Sequence, residues 1–306
     1  MNTMEPSVNI DKDLYPFRNN FAEVNGFPYH YVDEGDKDAD PVIMVHGNPT
    51  WSFYYRNLIK DLSPRYRTIA PDHVGCGLSG KPGLGQYNFT LVERVDDLDR
   101  FIRGLDLQKK ITLVVHDWGG MIGLSWARQY ADRIGRLVIL NTSGFHMPSR
   151  KKLPLSLKVG RNTKLGENLI LRFNAFGKAA NHLCVKRTKL PKKVQKTYLA
   201  PYPNRADRWS ILRFVQDIPL TPADPSYHTV TMTQKALKLF KDTPTLILWG
   251  AKDFVFDETF LDEWREHMPH ARIRNFRDAG HYILEDAYPE CLAEIKNFLE
   301  NNPIHH

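Results

Sequence analysis

Four short segments place reactive side chains just after apolar, β-branched runs. Asp117 follows the run 111–115, in Val114-Val115-His116-Asp117-Trp118-Gly119-Gly120. Asn48 follows the run 42–45, in His46-Gly47-Asn48-Pro49. Asp253 closes Gly250-Ala251-Lys252-Asp253, after the run 245–249, and His281 lies in Ala279-Gly280-His281-Tyr282, after the run 272–276. Such a set can do nucleophilic chemistry. A carboxylate is already ionised near neutral pH. It can displace a leaving group from an sp³ carbon unaided and form an alkyl-enzyme ester. A histidine then takes the proton from the water that attacks the ester. A second carboxylate holds the imidazole tautomer. Donors at the Asn48 amide and the Trp118 indole can stabilise the departing anion.

Each residue alone also has a plain structural reading. Asp117 fits a helix N-cap, Asn48-Pro49 a turn, Asp253 a turn aspartate, and His281 an ordinary loop histidine. Their order argues for chemistry. Asp117, Asp253 and His281 run as nucleophile, acid and base, which is the α/β-hydrolase order. The segment around Asp117 resembles the G-x-S-x-G nucleophile elbow of those enzymes, with aspartate in the serine's place. Gly119 supplies the small residue that the sharp turn needs, whereas Val115 departs from the first glycine.

The elements that must position these residues alternate. Strand-like runs at 42–45, 66–71, 111–115, 136–140, 245–249 and 272–276 are separated by helical patterns at 52–62, 91–105, 119–130 and 288–299. This implies βαβ units and a mostly parallel sheet flanked by helices. Segments 21–25 and 29–33, separated by Gly26-Phe27-Pro28, predict an antiparallel hairpin leading into it. The alternation breaks at 145–241, which is helical and contains eight prolines. A core of 1–144 and 242–304 with a helical cap at 145–241 is expected, the cap lying over the carboxyl edge of the sheet, where open α/β sheets bind ligands.

The 306 residues are 42% hydrophobic and 25% charged, an ordinary globular composition. The net charge of +7 is uneven. Segment 146–200 holds 14 Lys or Arg and one acid, Glu167, for a net +13 over a remainder of −6. Two readings stay open: a solvated helical surface, or a docking face for an acidic partner, a second copy or a membrane surface. No nucleic-acid recognition motif accompanies the charge. The most apolar stretch, 111–127, is short and carries His116 and Asp117 near its middle, so no membrane span is expected. The polar start, 1–16, does not read as a signal peptide. Cys76, Cys184 and Cys291 form neither a metal pair nor a disulfide framework, so a reducing compartment, the cytoplasm, is expected. No metal or phosphate-binding constellation is present in the sequence, and no cofactor is expected. His305 and His306 read as the remnant of a purification tag.

With these residues in hand, the chain resembles the haloalkane dehalogenases from about residue 15 to 298. The strings that carry the likeness are His46-Gly47-Asn48-Pro49-Thr50-Trp51-Ser52, Pro71-Asp72-His73-Val74-Gly75-Cys76-Gly77-Leu78-Ser79 and His116-Asp117-Trp118-Gly119-Gly120. The resemblance implies Asp117 as nucleophile, His281 as base, Asp253 as acid, and Asn48 with Trp118 as the halide-stabilising pair. One subfamily places a glutamate acid after the strand ending at Leu140; Asn141 stands there in this chain. Phe173-Asn174-Ala175-Phe176 and Gln216-Asp217-Ile218-Pro219-Leu220 make the chain most similar to the third subfamily, which includes the β-lactone decarboxylases of olefin biosynthesis.

Two activities follow for the same residues. The first is hydrolysis of haloalkanes to alcohol and halide. The alternative is conversion of a cis-3,4-dialkyl-oxetan-2-one to a cis-alkene and CO2, with which a docked biosynthetic partner would also fit. A third reading, epoxide hydrolase, needs cap tyrosines, for which Tyr198, Tyr202 and Tyr227 are candidates, but Asn48 stands where that family has an aromatic-Pro loop. An ordinary esterase lacks its serine at 117, and an intact triad argues against a non-catalytic binding module. Trp51, Trp126, Trp249 and Trp264 are expected to be packing residues, Trp209 a packing residue or a pocket-facing one, and Phe145, Phe173, Phe176 and Phe214 cap core or pocket wall.

Overall fold

The computed structural model describes Val8 and residues 10–304. Half of the polar start, residues 1–7 and 9, and the two terminal histidines lie outside the described residues. Eight strands form one sheet: β1 (Asn20–Val24), β2 (Phe27–Glu34), β3 (Pro41–Val45), β4 (Arg67–Pro71), β5 (Ile111–Asp117), β6 (Ile134–Thr142), β7 (Thr245–Gly250) and β8 (Arg272–Phe276). Their order is β1-β2-β4-β3-β5-β6-β7-β8. β2 runs antiparallel to β1 and β4, and the strands from β4 to β8 are parallel. The predicted hairpin forms, with a tighter turn than expected. Asn25 and Gly26 both take positive φ, 50° and 81°, the two-residue connection that matches strand twist. Phe27 and Pro28 are already strand.

Period-two alternation sends successive side chains to opposite faces. Val42, Met44 and Val114 join Leu58, Ile59, Ile295 and Phe298 in one core layer. Ile43, Val45, Leu113 and Val115 join Leu98, Ile102, Ile122 and Leu261 in the other. Every residue of β3 and β5 is buried, as expected for parallel strands covered on both faces. Helices Arg56–Leu62 and Tyr288–Asn301 cover the first face, and Leu91–Gly104, Trp118–Ala127 and Glu258–His267 the second.

Between β6 and β7, the described residues contain helices and no strand. The main ones are Leu155–Asn162, Lys164–Phe173, Ala175–Leu183, Lys192–Leu199, Trp209–Gln216 and Tyr227–Ala236. The last of these is tied to the sheet's own helices by the 2.7 Å contact of Thr233 Oγ1 with Ser125 Oγ. Cys76, Cys184 and Cys291 are buried and unpaired. Among the described residues, no helix is long and apolar enough to cross a membrane.

Candidate active site

β5 extends two residues beyond its apolar run, so that Asp117 is its last residue and Trp118 the first of the following helix. The junction is sharp. Asp117 takes φ 52° and ψ −128°, a region that side chains rarely adopt. The helix starts where only small residues fit. A Cβ on Gly119 would stand 1.9 Å from the Val45 carbonyl oxygen, and one on Gly120 2.0 Å from Thr142 Oγ1. The departure at Val115 also has an answer. Its Cγ1 fills the space that a Cβ on Gly123 would need, 2.8 Å away. Gly123, one helical turn after Gly119, is the small residue that makes room for the valine.

Asp117 makes no capping bond to its own helix. Instead its Oδ1 accepts the Asn48 backbone N–H at 2.6 Å, and its Oδ2 lies 3.5 Å from His281 Nε2. His281 Nδ1 donates to Asp253 Oδ2 at 2.7 Å. Asp253 in turn accepts the Val255 N–H at Oδ1, at 2.7 Å, so it is a turn aspartate as well as the histidine's partner. All three side chains are buried. Burial pushes the Asp117 carboxyl up, but the hydrogen bond and charge of His281, with the Asn48 N–H, outweigh it and hold the group below its ordinary value. Burial also opposes charge on His281, and the flanking Asp253 and Asp117 carboxylates overcome it and raise its pKa well above the usual imidazole range.

Asn48 and Trp118 line the same pocket as Asp117 and His281. Asn48 contributes more than its side chain, since its backbone N–H orients the carboxylate. Its Nδ2 donates to the Ile211 carbonyl at 3.2 Å, across to helix Trp209–Gln216. Trp118 packs against Phe214, with ring centroids 5.3 Å apart.

Two contributors went unassigned by sequence reasoning. Asn141 ends the run 136–140, where it registered only as the absence of a glutamate. Its Nδ2 donates to Asp253 Oδ2 at 3.0 Å and to the Gly250 carbonyl at 3.1 Å, while its Oδ1 accepts the Gly250 N–H at 2.7 Å. His116 was read only as part of its string. Its Nε2–H donates to the His281 carbonyl at 2.9 Å, and its ring stacks on Tyr54 at 4.2 Å. Burial, then the neighbouring His281 charge, pushes its pKa down to about 3, so it stays neutral.

The pocket is about 1100 Å³ counted out to its mouth. Its wall is mainly apolar and comes from both sides of the insertion, including Met121, Phe145, Leu157, Phe176, Val215 and Phe256. Lys151 also lines it, but its ammonium is turned to Asp257 Oδ2 at 2.6 Å and to the Phe254 carbonyl at 3.0 Å. The expectations for other aromatics divide. Phe145 and Phe176 are wall, and Phe214 is buried behind Trp118 under the Arg94 guanidinium, whose carbon stands 3.6 Å from the ring centroid. Phe173 is neither core nor wall, because it is exposed on the outer face of helix Lys164–Phe173. Trp209 does not line the pocket, whereas Trp51, Trp126, Trp249 and Trp264 are fully buried. None of the three tyrosines lines it either. The Tyr198 hydroxyl bonds Glu285, Tyr202 Oη accepts the Gly77 N–H, and Tyr227 stacks on His146. That removes the proton donors an epoxide hydrolase needs.

A family model described as the α/β-hydrolase fold matches residues 40–288. The chain belongs to the α/β-hydrolase fold family. Within this family it is 52% identical over 286 residues to a cis-3-alkyl-4-alkyloxetan-2-one decarboxylase of Shewanella oneidensis, covering 94% of this chain and 89% of the relative. An enzyme of the same name from Xanthomonas campestris is 45% identical, over 91% of this chain and 94% of the relative. A haloalkane dehalogenase of Mycolicibacterium paratuberculosis is 32% identical, over 92% of each. The crystal structure of a haloalkane dehalogenase from Agrobacterium tumefaciens superposes with a TM-score of 0.82, covering 94% of this chain and 97% of that one at 23% identity, which speaks for the fold. The expected likeness to haloalkane dehalogenases is met, and so is the likeness to the lactone-acting group beside them.

Proposed function

We propose that Asp117 is the nucleophile of a β-lactone decarboxylase that converts cis-3,4-dialkyl-oxetan-2-ones to cis-alkenes and CO2. The observation that carries a nucleophilic role is the hold on the Asp117 carboxylate. One oxygen accepts a main-chain N–H at 2.6 Å, and the other faces His281 beside an apolar pocket. The choice of substrate is supported by the two decarboxylase relatives, at 52% and 45% identity against 32% for the dehalogenase. The partner is thus a small, hydrophobic molecule.

The chemistry balances without water. Asp117 Oδ2 attacks ring carbon C4, the C4–O bond breaks, and a β-carboxylate is released where a halide would otherwise leave. Donors at the Asn48 amide and the Trp118 indole stabilise that anion. The C2–C3 bond then breaks, and its electron pair forms the alkene between C3 and C4. CO2 departs, and the C4–Oδ2 bond opens to regenerate the carboxylate. Inversion at C4 followed by anti elimination amounts to overall syn loss of CO2, so a cis lactone gives a cis alkene.

Dehalogenation is the second reading, favoured by the Asn48–Trp118 pair at the pocket wall. It starts with the same attack, releasing halide, but ends differently. His281 must remove a proton from water, which attacks the ester carbonyl. Esterification removes the Asp117 charge, one of the two carboxylates that raise the His281 pKa, so the imidazole gives any proton it carries to solvent more readily and can then take one from the attacking water. Asp253 orients and stabilises the imidazolium, with Asn141 fixing Asp253.

Residues 145–241 act in this reading as a cap on a core of 1–144 and 242–304, with helix Tyr227–Ala236 as its anchor. The burial of three unpaired cysteines supports a reducing compartment, the cytoplasm. The test is turnover of cis and trans lactones followed by alkene formation, with Asp117→Ala as the blank. Cis-selective alkene production lost in the variant is expected; no alkene from either isomer with a folded wild-type protein overturns the proposal.

A further inference from the structure

Three consecutive helices of the inserted segment turn large apolar side chains to solvent. Leu155 begins the first and is 75% exposed. Leu165, Leu169 and Phe173 follow on the second, spaced four apart and hence along one face, while Ile170 and Leu171 point inward. Leu183 ends the third. Exposed cations alternate with them. Lys152, Lys158, Arg172 and Lys178 have no salt-bridge partner among the described residues, in contrast to Lys151, Arg161 and Arg187. These helices lie in the segment that holds 14 Lys or Arg against one acid. The pocket opens here too. Its wall residues exposed to solvent, Ser156, Ala179 and Leu183, sit on the first and third helices.

We infer that this face rests on an anionic lipid surface, with Leu165, Leu169 and Phe173 in the headgroup–acyl boundary and the unpaired cations on lipid phosphates. Basic helices with an exposed apolar stripe bind membranes in this way, without spanning them. A second copy of the chain is a poor occupant, because two such basic faces repel. Lipid satisfies both halves of the pattern, and a dialkyl lactone and its alkene both dissolve in it. Entry of substrate from the membrane through the mouth is the part that rests on the decarboxylase reading; binding to lipid does not.

The test is co-sedimentation of the full chain with vesicles of phosphatidylcholine, alone or mixed with phosphatidylglycerol. Expected are binding to the mixed vesicles only, release by salt, and loss of binding in Leu165→Glu/Leu169→Glu/Phe173→Glu. These residues are outside the pocket, so that variant should keep the wild-type circular dichroism spectrum and urea midpoint, which shows that it is folded. No sedimentation with the mixed vesicles, equal binding to phosphatidylcholine alone, unchanged binding by the variant, or capture by polyglutamate without vesicle binding would each overturn the inference. Lactone supplied in the mixed vesicles forms the separate arm. Lipid binding without lactone turnover counts against the substrate reading and leaves the surface standing.

Discussion

Asn141 and His281 share one oxygen of Asp253: Nδ2 of the amide reaches it at 3.0 Å and Nδ1 of the imidazole at 2.7 Å. The same amide brackets Gly250 through both its carbonyl and its N–H. A residue at the end of β6 thus sets the orientation of an acid that follows β7.

Asn141→Ala should therefore impair both folding and turnover. Leaving the buried Gly250 N–H without a partner costs about 1–3 kcal/mol. A less well oriented Asp253–His281 pair gives up part of the gain from general base catalysis, about tenfold or more in kcat for halide hydrolysis. Denaturant melts and steady-state kinetics measure the two effects. An unchanged kcat would remove Asn141 from the positioning of the acid.

The two chemistries need His281 differently. With His281→Gln, a long-chain bromoalkane should release one equivalent of bromide per protein and then stall, because the ester has no base to activate water. Lactone turnover consumes no water and should continue, more slowly. Rapid-quench halide assays alongside alkene quantification distinguish the two. Equal loss of both activities would refute the water-free route.

Close packing at the elbow gives a stability prediction. In Gly119→Ala the new Cβ meets the Val45 carbonyl oxygen, which belongs to the sheet backbone and cannot rotate away. The cost should be at the upper end of the about 1–3 kcal/mol typical of overpacking, or beyond it. Gly104→Ala, at the end of its helix with nothing within 4 Å, is the control and should be neutral or slightly stabilising. Urea midpoints measure both, and equal effects would contradict the packing argument.

Asp217 gives a pH prediction. Burial pushes its carboxyl up to about 6, only partly offset by the Ser226 hydroxyl at 2.6 Å and the Leu91 N–H at 2.8 Å. The folded state thus favours the protonated acid. Its stabilising contribution is fully present below the unfolded value, about 3.9, and is lost as pH rises through about 6. Asp217→Asn keeps an acceptor without the charge, so its Tm relative to wild type should rise between pH 5 and pH 7. A difference independent of pH would contradict this.

Much of this was legible in the sequence because it is local. The run 111–115, the small residues after Asp117, and the order Asp117, Asp253, His281 each need only a short window, and the sheet brings strand ends to one edge regardless of what lies between. Elements beyond that were less legible. Strand ends at Asp117 and Thr142 ran past the apolar runs, because polar residues continued the ladder with neighbours distant in sequence. Asn141 could not be assigned, since its partners lie more than a hundred residues away. Phe173 was misplaced for another reason. An aromatic in an amphipathic helix is normally buried, and here it belongs to the outward stripe.

The central claim is that Asp117 attacks carbon. Its most direct test is the intact mass of His281→Gln after incubation with 1-bromodecane, followed by peptide mapping. A single decyl adduct on the peptide containing Asp117, absent from the Asp117→Ala/His281→Gln double variant, is the expected result. An adduct on any other residue, or one that persists in the double variant, would contradict it.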